Sequence, residues 1–86
     1  MNISVELTFT PLQDNYEEPI KELIKELRQS NFKVLENPLS TQVYGEYNEV
    51  MDFLTRAMQS AFKGVDACIM NMKVVKSDRS GYKPDF

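Results

Sequence analysis

Residues 3–10 read Ile-Ser-Val-Glu-Leu-Thr-Phe-Thr. Ile3, Val5, Leu7 and Phe9 fall on one side of an extended chain, and Ser4, Glu6, Thr8 and Thr10 fall on the other. Alternation of this kind predicts a strand with one face in the core and one face outside it. Pro11 ends the run, because proline has no N–H for the ladder. From Tyr16 the period changes. Tyr16, Ile20, Leu23, Ile24 and Leu27 recur at helical spacing, with Lys21, Glu22, Lys25, Glu26 and Arg28 between them. The spacing predicts an amphipathic helix over 16–30. Pro19 belongs in its first turn, where a missing N–H costs least. Asn15 and Glu18 have capping-box spacing, whereas a start nearer Glu18 suits Pro19 better; both starts stand open.

Beyond Asn31, Phe32–Glu36 reads as a short strand, Asn37-Pro38 as a turn, and Leu39 to about Glu46 as a third strand. A strand, a short turn and a strand make a hairpin. A second helix is expected from about Asn48 to Lys63. Val50, Phe53, Leu54, Ala57, Met58 and Ala61 form its apolar stripe, with Asn48 as N-cap and Gly64 as the residue after its end. A last strand covers about Ala67 to Lys76, with Cys68, Met70, Met72 and Val74 on one side and Ile69, Asn71, Lys73 and Val75 on the other. The order βαββαβ predicts an α+β, ferredoxin-like sandwich: a four-stranded antiparallel sheet with two helices on one face. One domain spans 1–76, and 77–86 is a polar C-terminal tail.

Composition narrows the function. Among 86 residues there is no histidine and one cysteine, Cys68. Triads and dyads built on histidine are therefore excluded within one chain, as are the usual closed zinc sites. A single thiol cannot form an intrachain disulfide, which suits a cytoplasmic protein. Ten basic residues against thirteen acidic ones, net −3, give no basic face for nucleic acid. No apolar run is long enough to span a membrane, and nothing at the N-terminus reads as a signal peptide. These exclusions favour a binding module over an enzyme, with no cofactor and no metal.

The sheet face away from the helices should carry Ser4, Glu6, Thr8 and Thr10, together with Ile69, Asn71, Lys73 and Val75. The third strand adds either Ser40, Gln42 and Tyr44 or the set Thr41 and Val43; a slip of one residue exchanges them. Half polar and half apolar, this face suits a protein interface or a small-ligand cleft. Residues 10–16 read Thr-Pro-Leu-Gln-Asp-Asn-Tyr. They lack the Gly-rich, Arg-bearing loop of an acylphosphatase-like enzyme, and they lack the glycine of an ACT-like regulatory domain. The ACT-like reading, with an amino acid or a protein partner, is the alternative to a small-ligand carrier.

Three stretches carry a resemblance: Ile-Ser-Val-Glu-Leu-Thr-Phe-Thr-Pro-Leu at 3–12, Asn-Pro-Leu-Ser-Thr-Gln-Val-Tyr-Gly-Glu at 37–46, and Glu-Val-Met-Asp-Phe-Leu at 49–54. Together they resemble the YkoF-like family of domains that bind thiamin or hydroxymethylpyrimidine. The resemblance implies binding without catalysis, and self-association of single domains, sheet against sheet, as dimers or tetramers. Candidate ligand-binding residues are Glu6, Thr8, Thr41, Tyr44 and Asn71, where the first and third strands adjoin. Thr41 comes from the family-like Leu-Ser-Thr segment. If its side chain points to the helices instead, Gln42 and Tyr44 take its role.

Overall fold

Ile3, Val5, Leu7 and Phe9 are all buried, none more than 8% exposed. They lie on β1 (Asn2–Pro11), the strand on which the sheet is built. The computed structural model describes residues 1–86. After β1 come α1 (Glu17–Arg28), β2 (Lys33–Glu36), β3 (Thr41–Glu46), α2 (Tyr47–Lys63) and β4 (Cys68–Val75). The strands form one antiparallel sheet in the order β2-β3-β1-β4. The βαββαβ arrangement expected from the periodicities is therefore the fold. Leu23 and Leu27 of α1, Val50, Leu54 and Ala57 of α2, and Val43 of β3 close over the four β1 side chains to make the core.

Element ends differ from the expected ones for local reasons. α1 begins at Glu17 with Tyr16 as N-cap and no side-chain cap bond, so the Asn15–Glu18 box is not formed. Pro19 sits in the first turn as the later start requires. α2 begins earlier than Asn48: Glu46 is the N-cap, and its carboxylate accepts from the Glu49 N–H at 3.2 Å. A glutamate performs the capping that was expected of Asn48. Gly64 is the C-cap itself with φ −84°, a conformation open to any residue. β3 begins at Thr41 because Leu39 and Ser40 are spent in the turn.

Three exposed carboxylates are held below the usual carboxylate range. Arg28 Nε and Nη2 donate to Glu36 at 2.6 and 2.7 Å, tying the end of α1 to β2. Those hydrogen bonds lower Glu36 and raise Arg28. Glu46 is lowered by the backbone N–H groups of Asn48 and Glu49, and then by the N-terminal amine. Asp78 is lowered by the hydroxyl and N–H of Ser80. A depressed carboxylate stabilises the fold above its unfolded pKa, and that stability is lost as pH falls through the folded value. The melting temperature is therefore expected to stay level from pH 7 to about pH 5 and to fall below about pH 4. The step is small because all three groups are exposed. Glu36→Gln should remove part of it, and a melting temperature level down to pH 3 would contradict the assignment.

Candidate ligand site on the open sheet face

Register divides the face away from the helices into rows. Val75, Ser4, Tyr44 and Lys33 form one row across β4, β1, β3 and β2. Lys73, Glu6, Gln42 and Leu35 form the next. Asn71 and Thr8 form a third, with Ile69 and Thr10 beyond. The third and fourth rows have no β3 member, because the β1–β3 pairing stops at Leu7 and Thr41.

The C-terminal tail runs along the first row. The Ser4 hydroxyl donates to the Ser77 carbonyl at 2.7 Å and accepts from the Arg79 N–H at 2.8 Å. Lys33 Nζ donates to the Ser80 carbonyl at 3.2 Å. Between these two anchors stands Tyr44. Ser4 is consequently only 7% exposed, although its side chain faces away from the helices. The sheet face away from the helices is thus roofed at one end, and residues 77–80 are a strap across it. The Ser77 hydroxyl is buried without a partner, which offsets part of what the strap gains.

The second row is the polar centre of the face. Asn37 Oδ1 accepts from the N–H groups of Leu39 and Ser40, each at 2.9 Å. The Asn37 N–H donates to the Ser40 carbonyl at 3.1 Å. This is an Asx-type turn, with Pro38 supplying a fixed φ. Its result is the placement of Ser40, whose hydroxyl donates to Glu6 Oε2 at 3.0 Å and accepts from Gln42 Nε2 at 2.7 Å. The other oxygen of Glu6 lies 3.7 Å from Lys73 Nζ. Glu6 is therefore oriented on one oxygen and loosely paired on the other. The Glu6 and Lys73 side chains are 42% and 74% exposed, so that pair contributes little to stability and yields easily to another cation.

Of the residues singled out from sequence, Glu6, Thr8, Tyr44 and Asn71 lie on this face. Thr8 and Asn71 are direct cross-strand neighbours. Thr41 is not with them: it pairs with Leu7, so its side chain points to the helix side, 8% exposed. Gln42 stands in its place, as the alternative register required. Ser40 and Lys73 are the functional candidates that side-chain patterning alone did not single out. The Asn37-Pro38 turn was the signal for Ser40, since an Asx turn fixes the residue three places on. No group of three or more Cys, Asp or Glu side chains is brought together to hold a metal ion. The largest depression, about 570 Å³ between α1 and α2, is lined by residues such as Glu18, Glu22 and Ser60 and lies in the helix layer.

Residues 5–84 match the family described as thiamine-binding protein. The chain belongs to that family. The match takes in the strap as well as the sheet, and it bears out the resemblance carried by the 3–12, 37–46 and 49–54 stretches. Among solved structures, a Streptococcus pneumoniae protein is similar at 24% identity and TM-score 0.86, over 94% of this chain and 92% of that one. A Thermotoga maritima protein, provisionally assigned to thiamine biosynthesis or salvage, is similar at 18% identity and TM-score 0.82, over 90% of this chain and 85% of that one. A domain of unknown function from Bacillus cereus is similar at 17% identity and TM-score 0.77, over 99% of this chain and 85% of that one. At these identities the structures bear on the fold alone. No curated protein matches the chain.

Proposed function

We propose that this member of the thiamine-binding protein family binds thiamin, or its hydroxymethylpyrimidine moiety, without catalysis, at the open sheet face. The observation that carries the reading is the Glu6 carboxylate, held on one side by the Ser40 hydroxyl, which in turn accepts from Gln42, and open on the other to a replaceable lysine. Thiamin joins an aminopyrimidine to a cationic thiazolium. A carboxylate can accept from the amine or face the cation. A tyrosine beside the cation adds about 0.5–2 kcal/mol. Tyr44 is the diagonal neighbour of Glu6 across β1 and β3, within about 8 Å in such a ladder.

The same face is proposed as the contact between copies of the chain, as a dimer or tetramer. Leu35, Ile69 and Val75 are 42%, 48% and 36% exposed on it, and covering them would remove apolar surface from water. The single cysteine, half-buried and unpaired, accords with a reducing, cytoplasmic setting.

Titration calorimetry of the wild-type protein with thiamin and with hydroxymethylpyrimidine tests the ligand, with saturable heat expected for both. Absence of heat with either compound would end the ligand assignment and leave the fold standing. Sedimentation tests the contact. The wild type is expected to run as an oligomer at micromolar concentration, and Thr8→Arg as a monomer, because the substitution would bury an unpaired charge. A wild type that sediments only as monomer would remove the oligomer.

A further inference from the structure

The strap is fastened to the sheet by two side chains. One hydroxyl, Ser4 Oγ, donates to the Ser77 carbonyl and accepts from the Arg79 N–H, and Lys33 Nζ donates to the Ser80 carbonyl. Its backbone joins no ladder: the Ser77 N–H turns back to the Val75 carbonyl at 2.9 Å, and the Tyr82 N–H to the Arg79 carbonyl at 3.2 Å. It buries no apolar side chain, since residues 77–80 read Ser-Asp-Arg-Ser, and Asp78 and Arg79 are exposed. Each hydrogen bond of this kind adds little net stability, and the enclosed Ser77 hydroxyl counts against them. Docking of the strap is therefore weak enough to reverse.

What the strap covers is contact surface. It crosses the row Val75, Ser4, Tyr44 and Lys33, four of the twelve side chains in the four rows of the face. Ser4 beneath it is 7% exposed. Packed sheets lie about 10 Å apart, with side chains filling the space between them. A chain laid across one row occupies that space. A second copy therefore cannot lie flat on the first row while the strap is docked. A stable contact takes about 800 Å² from each partner, so withholding about a third of a face this narrow weakens it.

We propose that residues 77–80 are an autoinhibitory strap: docked through Ser4 and Lys33, they withhold the Tyr44 row from a second copy of this chain, and their release strengthens self-association. The inference rests on the open-face contact proposed above and adds the element that regulates it. Docking and association compete for one surface, so the apparent affinity between copies follows the fraction of chains whose strap is released.

Sedimentation across a concentration series, with amide hydrogen exchange over residues 77–82, tests this on the full chain and on two variants of the same chemistry. Ser4→Ala removes the hydroxyl that holds both Ser77 and Arg79. Exchange over the strap should quicken, and the dissociation constant between copies should fall roughly three- to tenfold. Ser77→Ala removes the enclosed, unpartnered hydroxyl and keeps the carbonyl that Ser4 bonds. Exchange should slow, and the constant should rise about threefold. Opposite shifts from two serine-to-alanine changes cannot come from added apolar surface. Adding Thr8→Arg to Ser4→Ala should return the chain to monomer, which ties the gain to the open face. Melting temperatures report whether each variant is folded; if Ser77→Ala is not, Ser4→Ala with and without Thr8→Arg decides. Equal dissociation constants in the wild type and folded Ser4→Ala would overturn the strap's role and leave the open-face contact standing. Monomers throughout, at every concentration, would overturn both.

Discussion

Gly45→Val is expected to lower the melting temperature by more than about 10 °C, and Gly45→Ala by a smaller step, in thermal unfolding followed by circular dichroism. The reason is close approach, since Gly45 has no positive φ that a side chain would strain. A Cβ at Gly45 would lie 2.7 Å from a ring carbon of Phe32 and 2.9 Å from a methyl of Val50. Neither neighbour is free to retreat. Phe32 packs edge-on against Phe53 with ring centroids 5.7 Å apart, and Val50 is fully buried in the first turns of α2. Overpacking of this kind costs about 1–3 kcal/mol for a single methyl. A domain of this size has only about 4–13 kcal/mol in all. Valine adds two further methyls in the same gap. A melting temperature within about 2 °C of wild type for Gly45→Val would mean that the Phe32 ring repacks freely, contrary to a close-packed interior.

The first strand was legible because its alternation is unbroken: every apolar residue from Ile3 to Phe9 went to the core. The third was not, because Ser40, Thr41, Gln42, Val43 and Tyr44 offer a polar residue to either face. What resolves the register is the turn. Asn37 draws the N–H groups of Leu39 and Ser40 to its side chain, so the ladder cannot begin before Thr41. Thr41 and Val43 then fall inward, and Gln42 and Tyr44 fall outward.

The strap was illegible for a different reason. Ser77–Ser80 contribute mainly backbone groups to their contacts, with Ser4 using its hydroxyl on a carbonyl and an N–H. Backbone partners leave no trace in side-chain patterning. Even so, a serine on the outer face of a central strand is an ordinary surface residue until the chain that covers it is seen. The candidate site inherits both features: the turn sets its polar centre, and the strap closes the end at which Tyr44 stands.

Glu6→Gln should weaken thiamin binding about ten- to a hundredfold, the effect of losing a charge-assisted hydrogen bond worth about 1.5–3 kcal/mol. Glu6→Lys should abolish measurable binding, because it sets a second cation beside Lys73 where the ligand's own cation must sit. The glutamine variant keeps the shape of the side chain and can still accept from Ser40, so the Asn37–Ser40 turn stays in place. Calorimetry with two ligands then separates the two roles open to the carboxylate. If Glu6 faces the thiazolium, Glu6→Gln weakens thiamin and leaves hydroxymethylpyrimidine nearly unchanged. If Glu6 accepts from the ring amine, both compounds weaken together. Lys73→Met provides the complementary measurement. Removing the resident cation should strengthen thiamin binding, since the ligand no longer competes with a lysine held 3.7 Å from the carboxylate. Unchanged affinity for both ligands in Glu6→Gln would clear Glu6 of any part in binding, and the Ser40–Gln42 network would then serve only to fasten the hairpin to β1.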